Sequence, residues 1–342
     1  MTPWQRFVCA ARGEALPQPP VALIVDSPWL PGYAGLNTVD YFARNDEWLR
    51  INLGLLSRFP DVAWIPGFWV EYGMAAEPSA YGARVLWHPK QPPSLEPVPG
   101  GLGALLELPV PDPREHGLMP LVLSRYSDAV ARLAAEGVSV HMVAARGPLA
   151  VAGWLLGITD LMMALKTHPA EMERLLTNLT TLCIHWLRAQ LETLREPQGI
   201  LVLDDLAGLI SPKMFETQAR SHFTRLFEAF EGLIRVYHND TPCPHLVTPF
   251  STLPFEVFNF SHTQDIATVA AQMPTKTLMG NVPPLDVMAR GQPAQVEAWA
   301  RECRQKTDDR RLVLSAGGGV SPDTPAASLD ALVRVAQEAR HA

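Results

Sequence analysis

Short apolar runs alternate with longer amphipathic stretches along the 342 residues. Eight runs are rich in β-branched, aliphatic or aromatic residues, and each closes on a polar or glycine cluster: Val21 to Asp26, Val62 to Trp69, Val138 to Arg146, Ile200 to Asp205, Ile234 to Asp240, Val257 to Ser261, Thr277 to Val282 and Leu312 to Gly317. Several are nearly unbroken apolar segments (VALIV, ILVL, LVL). That pattern fits strands covered on both faces in a parallel sheet rather than half-exposed, alternating strands. Between them lie segments with helical spacing. Thr38 opens VDYFARNDEWLRINLGLLSRF, Ser127 opens DAVARLAAEG, Ser211 precedes Pro212 at a first helical position, and Pro293 to Lys306 forms another segment. Gly137, Gly199 and Gly232 fall where helices should stop. Strand followed by helix, eight times over, predicts an α/β fold of the (β/α)8 TIM-barrel kind, although a long doubly wound sheet shares the same local signals.

The interval between the second and third runs is the longest. Its sequence, VEYGMAAEPSAYGARVLWHPKQPP, predicts an inserted hairpin around Tyr81-Gly82 followed by a proline-rich loop. No internal repeat or separating linker occurs, so residues 1–342 read as one domain. With 47% apolar and 18% charged residues the chain has ample material for a core, which excludes disorder. The net charge of −7 sets its field against phosphate backbones and anionic lipid. Neither nucleic acid nor a membrane is an expected partner. Cys9, Cys183, Cys243 and Cys303 are too scattered for a disulfide framework, and Arg6, Arg12 and Glu14 interrupt the N-terminal segment before it reads as a signal peptide. A cytoplasmic location is expected.

Active sites of parallel barrels lie at the C-terminal mouths of the strands, because the interior is packed solid. The residues ending the runs are therefore the candidates: Asp26, Glu71 just beyond Trp69, Arg146, Asp204 with Asp205, His238 with Asn239 and Asp240, Ser261 with His262, Asn281, and Gly317, Gly318 and Gly319. The i, i+2 spacing of His238 and Asp240 puts imidazole and carboxylate on one face, where they could share a divalent cation or work as an acid/base couple. The alternative is a strand-to-helix turn in which Asp240 is a cap and His238 is packing. Asp204 and Asp205 point to opposite faces, so one could be catalytic and the other structural. Cys243 is a reserve ligand near His238. The glycine turn permits close approach of a ligand, or simply a tight bend. GxGxxG, GxSxG, HExxH and Walker patterns are absent, and no nicotinamide or flavin is expected. The other histidines, His341 among them, read as surface or core residues.

PPVALIVDSPWLPGYAG, ARGPLAVAGWLLG, ILVLDDLAGLISPKMF, VYHNDT, LMGNVPP and SAGGGVSPDTP occur in this order, and the order resembles that of the uroporphyrinogen decarboxylase superfamily, which also contains cobamide-dependent methyltransferases. The resemblance implies a distorted (β/α)8 barrel. The decarboxylases carry an arginine-rich segment after the first strand that neutralises substrate carboxylates; here that stretch holds Asp26 and no arginine. The methyltransferase branch holds zinc with an HxC pair and a later cysteine. His238 matches the histidine, Asp240 stands for the first cysteine and Gly318 for the second.

The resemblance therefore implies methyl transfer between a corrinoid carrier protein and a small acceptor. His238 and Asp240 would be ligands or an acid/base pair, with Glu71 as a further ligand to zinc or a harder divalent ion. Asp204 and Asp26 are further catalytic candidates; Arg146, His262, Asn281 and Gly317 to Gly319 are candidates for substrate contact. The rival expectations are a decarboxylase or lyase acting on a tetrapyrrole or small aromatic acid, and a non-catalytic corrinoid- or tetrapyrrole-binding module.

Overall fold

The computed structural model describes residues 1–339, so His341 lies outside the described residues. All eight runs form strands: β1 (Val21–Ile24), β2 (Val62–Ile65), β5 (Met142–Arg146), β6 (Gly199–Leu203), β7 (Ile234–Asn239), β8 (Val257–Phe260), β9 (Thr277–Met279) and β10 (Leu312–Val313); β3 (Arg84–Leu86) and β4 (Ser94–Glu96) make the inserted antiparallel hairpin. Strands β5 to β10 pair in sequence order as a six-stranded parallel sheet, and β1 pairs with β2 in parallel. Backbone hydrogen bonds from Ala22 N to Leu314 O (3.1 Å) and from Leu314 N to Pro20 O (2.9 Å) tie the two sheets together. Adjacency therefore runs β2-β1-β10-β9-β8-β7-β6-β5, the order of a barrel. Among the described residues, no ladder joins β2 to β5.

Strand parity separates two cores. Ala22, Ile24, Ala63, Ile65, Met142, Ala144, Leu201, Leu203, Ile234 and Val236 turn inward with Phe7, Ala10 and Ala11 of the N-terminal helix Pro3–Ala11. The alternate residues, such as Leu23, Val143, Val202 and Tyr237, pack outward under the helices. The N-terminal helix begins with a capping box, in which Thr2 Oγ1 accepts from Gln5 N and Gln5 Oε1 accepts from Thr2 N. It packs on β1, β2 and β10 and closes the barrel floor, so the opposite rim is the open one.

Several boundaries differ from expectation. The first long helix breaks in two (Thr38–Ala43 and Asn45–Arg58), with Asn37 rather than Thr38 as its cap. Ser127 sits inside Met119–Ala135 and donates its hydroxyl to Leu123 O, so tertiary packing of the preceding apolar face extends that helix upstream. Gly199 starts β6 instead of ending a helix: its Cβ position is crowded by Met142 and by the Ile234 carbonyl. Gly137 and Gly232 do adopt left-handed φ angles of +70° and +91°. In the insertion, Tyr81-Gly82 ends the short helix Ala76–Ala80, and the proline-rich segment is the hairpin's own loop. No single helix among the described residues is long and apolar enough to cross a membrane.

Candidate functional site

The inward parity of the strands continues into their ends. Residues 22 and 24 lead to Asp26, 142 and 144 to Arg146, 201 and 203 to Asp205, and 234 and 236 to His238 and Asp240. Leu203 is the register partner of His238, so Asp205 emerges beside Asp240. The result is a cluster: Nε2 of His238 lies 3.5 Å from Asp205 Oδ1 and 3.9 Å from Asp240 Oδ2. One donor atom from each of the three residues falls within 4.8 Å of the others. Asp205 Oδ1 also accepts from Asp240 N (3.0 Å), which fixes the two carboxylates relative to one another.

The ring of His238 is only 5% exposed, and its tautomer follows from its neighbour. Asn259, on β8, donates its amide hydrogens to Met279 O (2.7 Å) and Ala316 O (3.0 Å). Its Oδ1 is therefore left as an acceptor, 2.6 Å from His238 Nδ1. Nδ1 must carry the proton, and the Nε2 lone pair faces Asp205 and Asp240. Asn259 is a site residue that the sequence reading passed over. Its signal was there: third in VFNF, it is the one buried amide in an aromatic strand.

Asp240 is pushed up to about 6, because it is partly withdrawn from solvent and Asp205 is near, while His238 pulls the other way. Asp26 is pushed up to about 7 by burial and by Glu71, against the opposing charges of Arg146 and His238. No hydrogen-bond donor among the described residues reaches its carboxyl. Arg146 lies with its guanidinium 5.3 Å over the Trp69 ring and gives one hydrogen bond to Gly73 O (3.3 Å), while its backbone N–H goes to Glu77 Oε1 (2.7 Å). An apolar recess of about 250 Å³ opens beside Arg146 and Asp205, walled by Met74, Leu95, Trp154 and Leu206.

Other expected site residues have structural work. Asp204, expected to be catalytic, has the outward parity: Oδ2 accepts from Leu149 N (2.9 Å) and Ala150 N (3.1 Å), and Oδ1 from Ala207 N (3.2 Å). It caps the helix Pro148–Leu156 and the turn Asp205–Leu209, and Asp205 takes the place at the rim. Glu71, expected as a ligand, is not in the cluster; it accepts from Ser27 N (2.8 Å) and from Gly73 N, bracing two strand-end loops, and burial raises its pKa. Asn281 donates to Ser261 O (3.3 Å) and Gln264 O (2.8 Å), inside the fold. Cys243 is buried, pushed up to about 12 by burial, and outside the cluster. In the glycine turn, a Cβ on Gly317 would meet the His262 backbone at 2.7 Å, so Gly317 and half-buried His262 pack on each other. Gly319 has open space but for the Ile24 carbonyl, 3.9 Å from its Cβ position. Gly318 alone touches the cluster: its φ is +142° and its Cβ position lies 2.9 Å from Asp240 Oδ2.

A family model described as "Uroporphyrinogen decarboxylase (URO-D)" matches residues 2–339. Among curated relatives, a uroporphyrinogen decarboxylase from Nocardia farcinica is 31% identical over 180 residues, which is 50% of this chain and 49% of the relative. One from Synechococcus sp. is 25% identical over 175 residues, 49% of this chain and 47% of the relative. The chain thus spans about half the length of the curated relatives it matches. Among solved structures, a methyltransferase from Methanosarcina mazei superposes with a TM-score of 0.84 at 20% identity, covering 98% of both chains. A B12-independent methionine synthase from a Shewanella species superposes with 0.61 at 9% identity, covering 94% of this chain and 97% of that one. At these identities the structural likeness speaks for the fold, a TIM-barrel-like α/β fold.

Proposed function

Given that the chain belongs to the uroporphyrinogen decarboxylase family, we propose that it is a methyltransferase of that family, moving a methyl group between a corrinoid carried by a partner protein and a small acceptor. The observation that carries this reading is the fixed Nε2 lone pair of His238, aimed at Asp205 and Asp240 on the open rim. The donor set fits a divalent cation: ligand bonds of about 2.0–2.2 Å place donors roughly 3–3.6 Å apart, close to the 3.5 and 3.9 Å found here. One nitrogen and two carboxylates, without thiolate, favour a harder ion than a cysteine-rich zinc site would. Bound there, such an ion would lower the pKa of the acceptor and neutralise its developing charge.

The chain's own residues do the rest. Asn259 holds the imidazole in one tautomer and one orientation, so no reorganisation is needed when Nε2 engages. Without the cation, burial and the nearby Asp205 push Asp240 up to about 6; binding the ion would hold it ionised as a ligand. The apolar recess next to Asp205 keeps water from the acceptor's non-reacting end.

A second reading, decarboxylation, is favoured by the decarboxylase relatives and by Asp26, a half-buried carboxyl that is still protonated near neutrality and could supply a proton. One pair of assays separates them. Under anaerobic conditions with Mn²⁺ or Zn²⁺, methylcob(III)alamin absorbance should fall in the presence of thiol or organic-acid acceptors, and His238→Ala should slow this by about 100-fold or more. Loss of carboxylate from uroporphyrinogen with no demethylation of methylcob(III)alamin would replace the first reading by the second. Inactivity in both assays would overturn both.

A further inference from the structure

Arg146 is 5% exposed, and its backbone N–H meets the Glu77 carboxylate, yet its guanidinium makes no ion pair among the described residues. Glu71, Glu77 and Asp26 feel its charge from further off, but of the five guanidinium N–H groups only one finds an acceptor, the Gly73 carbonyl at 3.3 Å. The Trp69 ring faces the guanidinium at 5.3 Å, but burying a cation without a paired anion is costly. Arg146 lines the recess of about 250 Å³, together with Trp154, Met74, Leu95 and Leu206. The recess also has a directional charge pattern, because Asp205, on the neighbouring strand end, lines it too and repels negative charge from its side.

We propose that this recess binds a small organic monoanion, with its carboxylate or sulfonate head on Arg146 and a compact apolar or aromatic body against Trp154, Met74 and Leu206. The size agrees: the space holds a body of about one ring, below the roughly 300 Å³ typical of drug-sized sites. The geometry of the head agrees as well, since a planar guanidinium offers two parallel N–H groups to a carboxylate. A second anionic group would meet Asp205, which is why the ligand is a monoanion. The proposal rests on the functional reading above only in making this ligand the acceptor. The subsite itself is defined by the recess and Arg146.

Benzoate and its neutral isostere benzamide are the probes, titrated calorimetrically into the full-length protein without corrinoid or added metal, so the outcome is independent of methyl transfer. Benzoate should bind the wild type at least about tenfold more tightly than benzamide. Arg146→Gln should abolish that preference while leaving benzamide affinity within about twofold, and Arg146→Lys should restore part of it. Trp154→Ala should weaken both probes, and Asp205→Asn should tighten benzoate alone. Equal affinity for the two probes, benzoate binding unchanged by Arg146→Gln, or no binding of benzoate, phenylacetate or methanesulfonate by the wild type would each overturn the proposal. Benzoate selectivity together with failure of the methylcob(III)alamin assay would leave the anion subsite standing and remove only its assignment to methyl transfer.

Discussion

Three residues set the chemistry of the rim, and each can be changed alone. Asn259 fixes which nitrogen of His238 is free, so Asn259→Leu should lower turnover and divalent-ion affinity by about 10–100-fold while Asn259→Gln recovers part of either. Gly318 touches Asp240 across a backbone conformation that side chains rarely adopt; Gly318→Ala should displace that carboxylate and weaken cation binding by about tenfold, read by calorimetry. Asp26 makes a pH prediction. Its carboxyl ionises near 3.8 in an unfolded chain but at about 7 in the fold, so the native state holds a proton that the unfolded chain has lost between those values. The stability this contributes is complete below about pH 4 and lost as the pH climbs through about 7. Asp26→Asn should therefore gain stability over wild type at pH 8 and show no such gain at pH 4; urea unfolding giving the same difference at both would contradict the assignment.

At the scale of the element, parity decides function. Asp204 and Asp205 are adjacent and chemically identical, yet one caps a helix and the other enters the cluster. Asp204→Ala should cost about 2–4 kcal/mol by freeing three buried amides, and Asp205→Ala should leave the melting temperature nearly unchanged while weakening cation binding. Differential scanning calorimetry set beside a metal titration checks both. This also marks how far the sequence could be read. The eight strands and the inserted hairpin were legible because continuous apolar runs and a long gap announce them. His238 and Asp240 were legible as a pair because i, i+2 spacing needs no tertiary knowledge. Which aspartate joins them was not: it depends on the register between β6 and β7, a pairing that neither strand's own pattern encodes. That Glu71 stands apart from the cluster was hidden for a related reason, since the amides of Ser27 and Gly73 that its carboxylate accepts from come from loops whose approach only the fold creates.

Over the whole molecule the division of labour runs from floor to rim. The helix Pro3–Ala11 fills the barrel floor with Phe7, Ala10 and Ala11, and the chemistry gathers at the opposite end. Phe7→Ala should thus destabilise the chain by about 3–5 kcal/mol in denaturant titrations without altering cation or benzoate affinity. The claim on which the rest depends is that Asp205, His238 and Asp240 converge on one cation. Titration of metal-stripped protein with Mn²⁺, following the free-ion paramagnetic resonance signal, tests it directly. The account predicts one site per chain that His238→Ala and Asp240→Asn each weaken by at least about tenfold. Absence of binding by the wild type at millimolar Mn²⁺ and Zn²⁺, or a site that survives both substitutions unchanged, would contradict it.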